Sequence, residues 1–277
     1  MAKGKVKIVR KKSLTHVFRY KKQPWEKVIG LDYSKKASGM RAPLRFKNFK
    51  ERFSRREVGN ILLAWIVLAV AFGYVLYPAF NSFYLLYIAA SAIVLGPAFI
   101  MHELMHKFEA QKFGYKAEFI VWMPFLMIAL IGAFLIGILF AAPGATYFQP
   151  DPQEPYLDPK GFRDRYGIIS FAGPAINLVF GTIFLALFYI FLDVIPYIGI
   201  DFVTKFILLI FGLGTYINFY LAAFNLLPLG NPNSIALDGA KVFRWNKVYW
   251  AASFGVSAAM SALMLLGYIP VLKILGI

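Results

Sequence analysis

Residues 102–106 read HELMH, which sets two imidazoles four residues apart with a carboxylate beside the first. On a helix, positions i and i+4 lie on one face, so His102 and His106 can converge on a single metal ion while Glu103 sits beside the remaining coordination position. This is the geometry of a zinc hydrolase, in which a carboxylate serves as base next to a metal that keeps one position open for water. Such a site needs three protein ligands. The chain has three histidines and no cysteine, so thiolate ligands, disulfides and a cysteine nucleophile are all excluded. The remaining histidine, His16, lies in a basic stretch and reads as an exposed residue, which leaves a carboxylate as the expected third ligand. Of the 14 acids, Asp238 is set in IALDGAKVF, just after an apolar run. An acid near membrane depth is costly unless it is paired or bound to a cation.

The elements that must bring these residues together are apolar. Hydrophobic residues make up 59% of the chain and the mean hydropathy is +0.61, and several runs reach the roughly 20 residues needed to cross a bilayer core about 30 Å thick. The expected fold is an all-α polytopic membrane protein with about five transmembrane helices plus a re-entrant hairpin, six apolar segments in all. The spans fall at about 58–80, from about 83 to the HELMH turn, 166–192, 202–227 and 248–270. Lys107, Lys112 and Lys116 follow the motif as flanking charge.

The sixth segment, 118–142, contains Pro124, Gly132 and Gly137 and can be read in two ways. As a span, it puts Asp238 a bilayer's thickness from the histidines. As a hairpin, it returns to the side it came from, and the two spans that follow bring Asp238 back to His102 and His106. Charge favours the hairpin: Lys160, Arg163, Arg165, Lys241, Arg244 and Lys247 then share the face of the N-terminal segment, as the positive-inside rule expects.

Charge also divides the chain into a basic cytoplasmic N-terminal segment, 1–57, and a membrane domain, 58–277. The first of these carries 19 Lys and Arg against four acids, Glu26, Asp32, Glu51 and Glu57. It has no apolar core of the kind a cleavable signal peptide needs, and RFSRRE just before the first span holds this end in the cytoplasm. Interleaved with Phe18, Tyr20 and Trp25, the segment could bind anionic lipid headgroups or nucleic acid. The plainer reading is a topology anchor.

HELMH, then FAGPAIN at 171–177, then NLLP at 225–228 leading to LDG at 237–239, resembles the site-2 protease family of intramembrane zinc metalloproteases over about residues 83–243. The resemblance implies that His102, His106 and Asp238 hold Zn2+ and that Glu103 is catalytic. It also places Asn177 and Asn225 at polar helix positions near the cleft, where they bind substrate or steady the oxyanion. The implied substrates are transmembrane segments of other membrane proteins, cleaved within the lipid bilayer. A helical segment must unwind before attack, and the hairpin could offer it an edge. Two features depart from the family: eight residues, 229–236, intervene before LDG where the family commonly has fewer, and no outer loop is long enough for a peptide-binding domain. Two other readings stay open at the level of sequence. One is a metal-binding or metal-transport membrane protein without hydrolytic activity, which would use HxxxH and Asp238 but give Glu103 no task. The other is a non-enzymatic membrane protein whose basic segment recruits RNA.

Overall fold

The computed structural model describes residues 52–80, 84–137, 143–199, 201–231 and 236–270. The basic segment expected to meet lipid or nucleic acid lies, up to residue 51, outside the described residues.

The architecture is that of an all-α polytopic membrane protein. Among the described residues, five helical stretches are long and apolar enough to cross a membrane: Arg55–Leu76, Tyr84–Lys112, Pro159–Ile198, Phe202–Asn225 and Lys247–Leu265. The first belongs to α1 (Arg55–Phe80), which packs along α2 (Tyr84–Leu95). The second stretch is not uniform. After α2 comes a wider turn, Gly96–Ile100, in which the N–H of Met101 donates to Gly96 O, five residues back. Pro97 lacks the N–H that a regular helix would use, and the looser turn absorbs the defect, as π-turns near functional sites commonly do. Beyond it, α3 (Met101–Lys112) carries the HELMH residues.

The sixth apolar segment returns on itself. Strand β1 (Lys116–Val121) leads into α4 (Met123–Ile136), and β2 (Gly144–Gln149) comes back antiparallel, pairing Lys116 with Gln149 and Val121 with Gly144. The 14 residues of α4 reach only about 21 Å at 1.5 Å per residue, short of the bilayer core. The hairpin reading therefore holds, but its arms are strands, not helices. Backbone groups away from water must be satisfied within the protein, and two extended arms satisfy each other.

A short helix, α5 (Glu154–Leu157), precedes the 40-residue α6 (Pro159–Ile198), whose start is capped by Asp158 accepting from Gly161 N–H. Asp201 caps α7 (Phe202–Asn225) by accepting from Thr204 N–H at 2.8 Å. Then follow α8 (Asp238–Trp245) and α9 (Lys247–Leu265). Helices α6 and α7 form one antiparallel pair and α1 and α2 another, and Val94, Leu95, Leu213 and Phe119 share a buried cluster between them. Large apolar side chains such as Ile66, Leu85 and Leu135 face outward, which suits a lipid surround.

Two charges leave the places that composition gave them. Glu57, counted with the N-terminal segment, and Lys107, counted as flanking charge, form a buried ion pair in which each side chain is 1% exposed. The other carboxylate oxygen of Glu57 accepts from Phe119 N–H at 2.9 Å, and Asn60 donates to Phe119 O at 3.3 Å. One glutamate thus ties α1 to the motif helix and to the outer edge of β1.

Candidate metal centre

His102 and His106 project from α3 one turn apart, and Asp238 opens α8. Asp238 arrives there because α6 and α7 make one out-and-back excursion and LDG then folds against the end of α7. A Cβ on Gly239 would overlap the Leu226 carbonyl, so only glycine allows this approach. The eight-residue insertion does not disturb it. Gly230 pairs with Ala236, and Leu237 N–H donates to Leu229 O at 3.0 Å, so the excursion is closed at its base and Asp238 keeps its place.

Asp238 Oδ2 lies 3.3 Å from His102 Nε2 and 3.1 Å from His106 Nε2. One ligand atom from each of the three residues falls within 4.8 Å of the others. The far side of each imidazole is fixed. His106 Nδ1–H donates to Ile169 O at 2.7 Å, and His102 Nδ1–H donates to Asn177 Oδ1. With both Nδ1 protons committed to oxygens, the Nε2 lone pairs are left for a metal. The orientation of Asn177 is itself set: its Nδ2 donates to Ala98 O at 2.7 Å and to Asn218 Oδ1 at 3.0 Å, so its oxygen must face His102. Asn218 in turn donates to Gly214 O at 2.8 Å.

Gly173 of α6 keeps the space before the ligands clear. A Cβ there would overlap His106 Nε2 and come within 2.6 Å of His102 Nε2. Two oriented imidazoles and a carboxylate around a cleared space fit zinc, which takes nitrogen and oxygen ligands in a four-coordinate site.

The ligands border a cavity of about 180 Å³ that is also lined by Glu103, Thr146, Asn225 and Lys241. Glu103 Oε2 accepts from the backbone N–H of Thr146 at 2.7 Å. The carbonyl of Glu103 accepts from Thr146 Oγ1 at 2.8 Å.

Over 202 residues, 72% of this chain and 90% of the relative, the sequence is 34% identical to a Methanocaldococcus jannaschii protein named "Putative zinc metalloprotease MJ0611". The chain belongs to this zinc metalloprotease family. No family model matches the sequence, and no solved structure matches it.

In this metalloprotease, zinc is the cofactor, and His102, His106 and Asp238 are the group positioned to bind it. The two asparagines singled out with them part company. Asn225 lines the cavity, its amide donating to Leu221 O at 3.0 Å. Asn177 is 0% exposed and lies behind His102, with its amide used by three partners. It is thus placed to hold an imidazole and not to touch a substrate, which differs from the role the resemblance suggested.

Three residues of the site were not singled out from sequence. Lys241 Nζ stands 3.9 Å from Asp238 Oδ1, one turn along α8; the i, i+3 spacing in LDGAK was a visible signal, read only as topological charge. Asn218 lies two turns before Asn225 on α7, so its place on the same helix face was also legible. Thr146 gave no signal, because its contact with Glu103 exists only through the pairing of β1 with β2.

Proposed function

We propose that this metalloprotease is an intramembrane endopeptidase of the site-2 protease type, hydrolysing peptide bonds within transmembrane segments of membrane-protein substrates. The observation that carries the reading is the convergence of Asp238 on His102 and His106 beside Glu103, the two histidines standing on a stretch, Tyr84–Lys112, that is long and apolar enough to cross a bilayer. A metal-transport role has no comparable support: the family is one of zinc metalloproteases, and a transport site gives a carboxylate on the cavity wall no task.

Zinc, when bound, supplies Lewis-acid polarisation of the scissile carbonyl and makes water a stronger acid. Glu103 takes the proton of the attacking water as the new C–O bond forms, then passes it to the amine as the C–N bond breaks. His102 and His106 keep their orientation because Asn177 and Ile169 hold their Nδ1 protons. Asn225 and Lys241 are two side chains on the cavity wall that can donate to the developing oxyanion.

A helical substrate segment must unwind first, and each backbone group left unpaired in hydrocarbon costs several kcal/mol. The outer edge of β2, beside the cavity, offers partners for such groups. By the positive-inside rule the N-terminal segment and the hairpin mouth share the cytoplasmic face, where the basic residues of 1–57 can meet anionic lipid or nucleic acid. The test is a set of transmembrane-segment peptides reconstituted in liposomes with the full chain and analysed by mass spectrometry. Zinc-dependent cuts inside the apolar stretch support the reading; cuts confined to soluble flanks overturn it.

A further inference from the structure

The β hairpin carries more than a strand edge. Phe119 of β1 faces Thr146 of β2 across the ladder, and neither N–H goes to the other strand: Phe119 N–H donates to Glu57 and Thr146 N–H to Glu103. This is therefore a non-hydrogen-bonded pair, in which both N–H groups point to the outer edges. One outer edge is fixed to α1 by the buried Glu57–Lys107 pair, and the other meets the motif helix at Glu103. Thr146 touches Glu103 twice, with its N–H on the carboxylate and its hydroxyl on the carbonyl of the same residue. A carboxylate on a helix surface has several rotamers. The N–H of Thr146 selects one of them, and its hydroxyl holds the main chain of the helix turn beneath it.

We infer that Thr146 is a positioning residue for Glu103: its backbone N–H holds the carboxylate and its hydroxyl holds the main chain that carries it, a two-point clamp that sets the base in its working place. The inference rests on the proposed role of Glu103 as the base. It assigns the hairpin a second task besides any contact with substrate, because removing the clamp disturbs the base while leaving the three zinc ligands alone. The hydroxyl limb can be tested by side-chain substitution. Thr146→Val keeps shape and β-branching but loses the hydroxyl, and Thr146→Ser keeps the hydroxyl.

The experiment uses the full chain in liposomes and the transmembrane peptide that the wild type cleaves fastest, with kcat, KM and zinc per chain measured on the same preparations. Thr146→Val lowers kcat by about fivefold to tenfold, the scale of one lost hydrogen bond, with KM within about twofold and zinc content unchanged. Thr146→Ser restores most of the rate. Wild-type kcat in Thr146→Val, a loss carried by KM or by zinc content, or a serine variant as slow as the valine variant overturns the inference. Glu103→Gln, run alongside, separates the two claims: if it stays active the role of the base fails, and if it is inactive while Thr146→Val is normal only the clamp fails.

Discussion

Replacing Asn177 with leucine isolates what the buried asparagine does for the metal. The two side chains share the same branching and number of heavy atoms, so the change removes the hydrogen bonds, and the larger methyl groups add some packing strain. His102 Nδ1–H loses its acceptor, and Ala98 O and Asn218 Oδ1 face a side chain that cannot donate. Loss of the partner behind a metal-binding histidine lowers metal affinity by about 10–100-fold, or about 1.4–2.8 kcal/mol. The two orphaned oxygens cost about 1–3 kcal/mol each in stability, with or without zinc. Asn177→Asp separates these effects. It keeps an acceptor for His102 but turns the other amide position into a second acceptor facing two oxygens. Both variants should therefore unfold more readily, while only the leucine variant binds zinc much more weakly. The assay is competition with a chelator of known zinc affinity in detergent, beside thermal unfolding of the chelator-stripped protein. Wild-type zinc affinity in Asn177→Leu, or equal losses in the two variants, would refute the reasoning.

Breaking the buried Glu57–Lys107 pair by Glu57→Gln or Lys107→Met alone should cost about 3–5 kcal/mol, and the double substitution should recover much of it; thermal unfolding of all three variants checks this. Gly173→Ala should cut zinc affinity while helicity by circular dichroism is preserved, because the added methyl enters the space before the imidazoles. Since the chain has no cysteine, single cysteines at Gln153 and Gly199 can be probed with an impermeant thiol reagent. Gln153 should label from the same face as a cysteine at Ser54, and Gly199 only from the opposite face; Gln153 labelling from the Gly199 face would contradict the re-entrant hairpin.

Much of this was legible in the chain because the physics involved is local. Apolar runs of membrane length and the four-residue spacing of the histidines report directly on helices and on one helix face. Asp238 could be chosen because an isolated acid near membrane depth needs a partner, and the direction of the hairpin followed from where Asp238 had to end. What the sequence did not disclose depends on pairing between distant segments. The strand character of 116–121 and 144–149 arises from mutual satisfaction of two backbones, which no periodicity in either stretch announces. Glu57 and Lys107 each looked like interfacial charge until the fold brought them together. Asn177 carried a motif position but not its direction, and only the three partners of its amide show that it faces His102.

The central claim is that His102, His106 and Asp238 hold a hydrolytic zinc with Glu103 as its base. The most direct measurement is zinc per chain and peptide turnover, determined together on wild type, Asp238→Ala and Glu103→Gln. The expected result is one zinc per chain with activity in the wild type, little zinc and no activity in Asp238→Ala, and one zinc per chain with turnover nearly abolished in Glu103→Gln. Full zinc occupancy in Asp238→Ala, or near-normal turnover in Glu103→Gln, would contradict it.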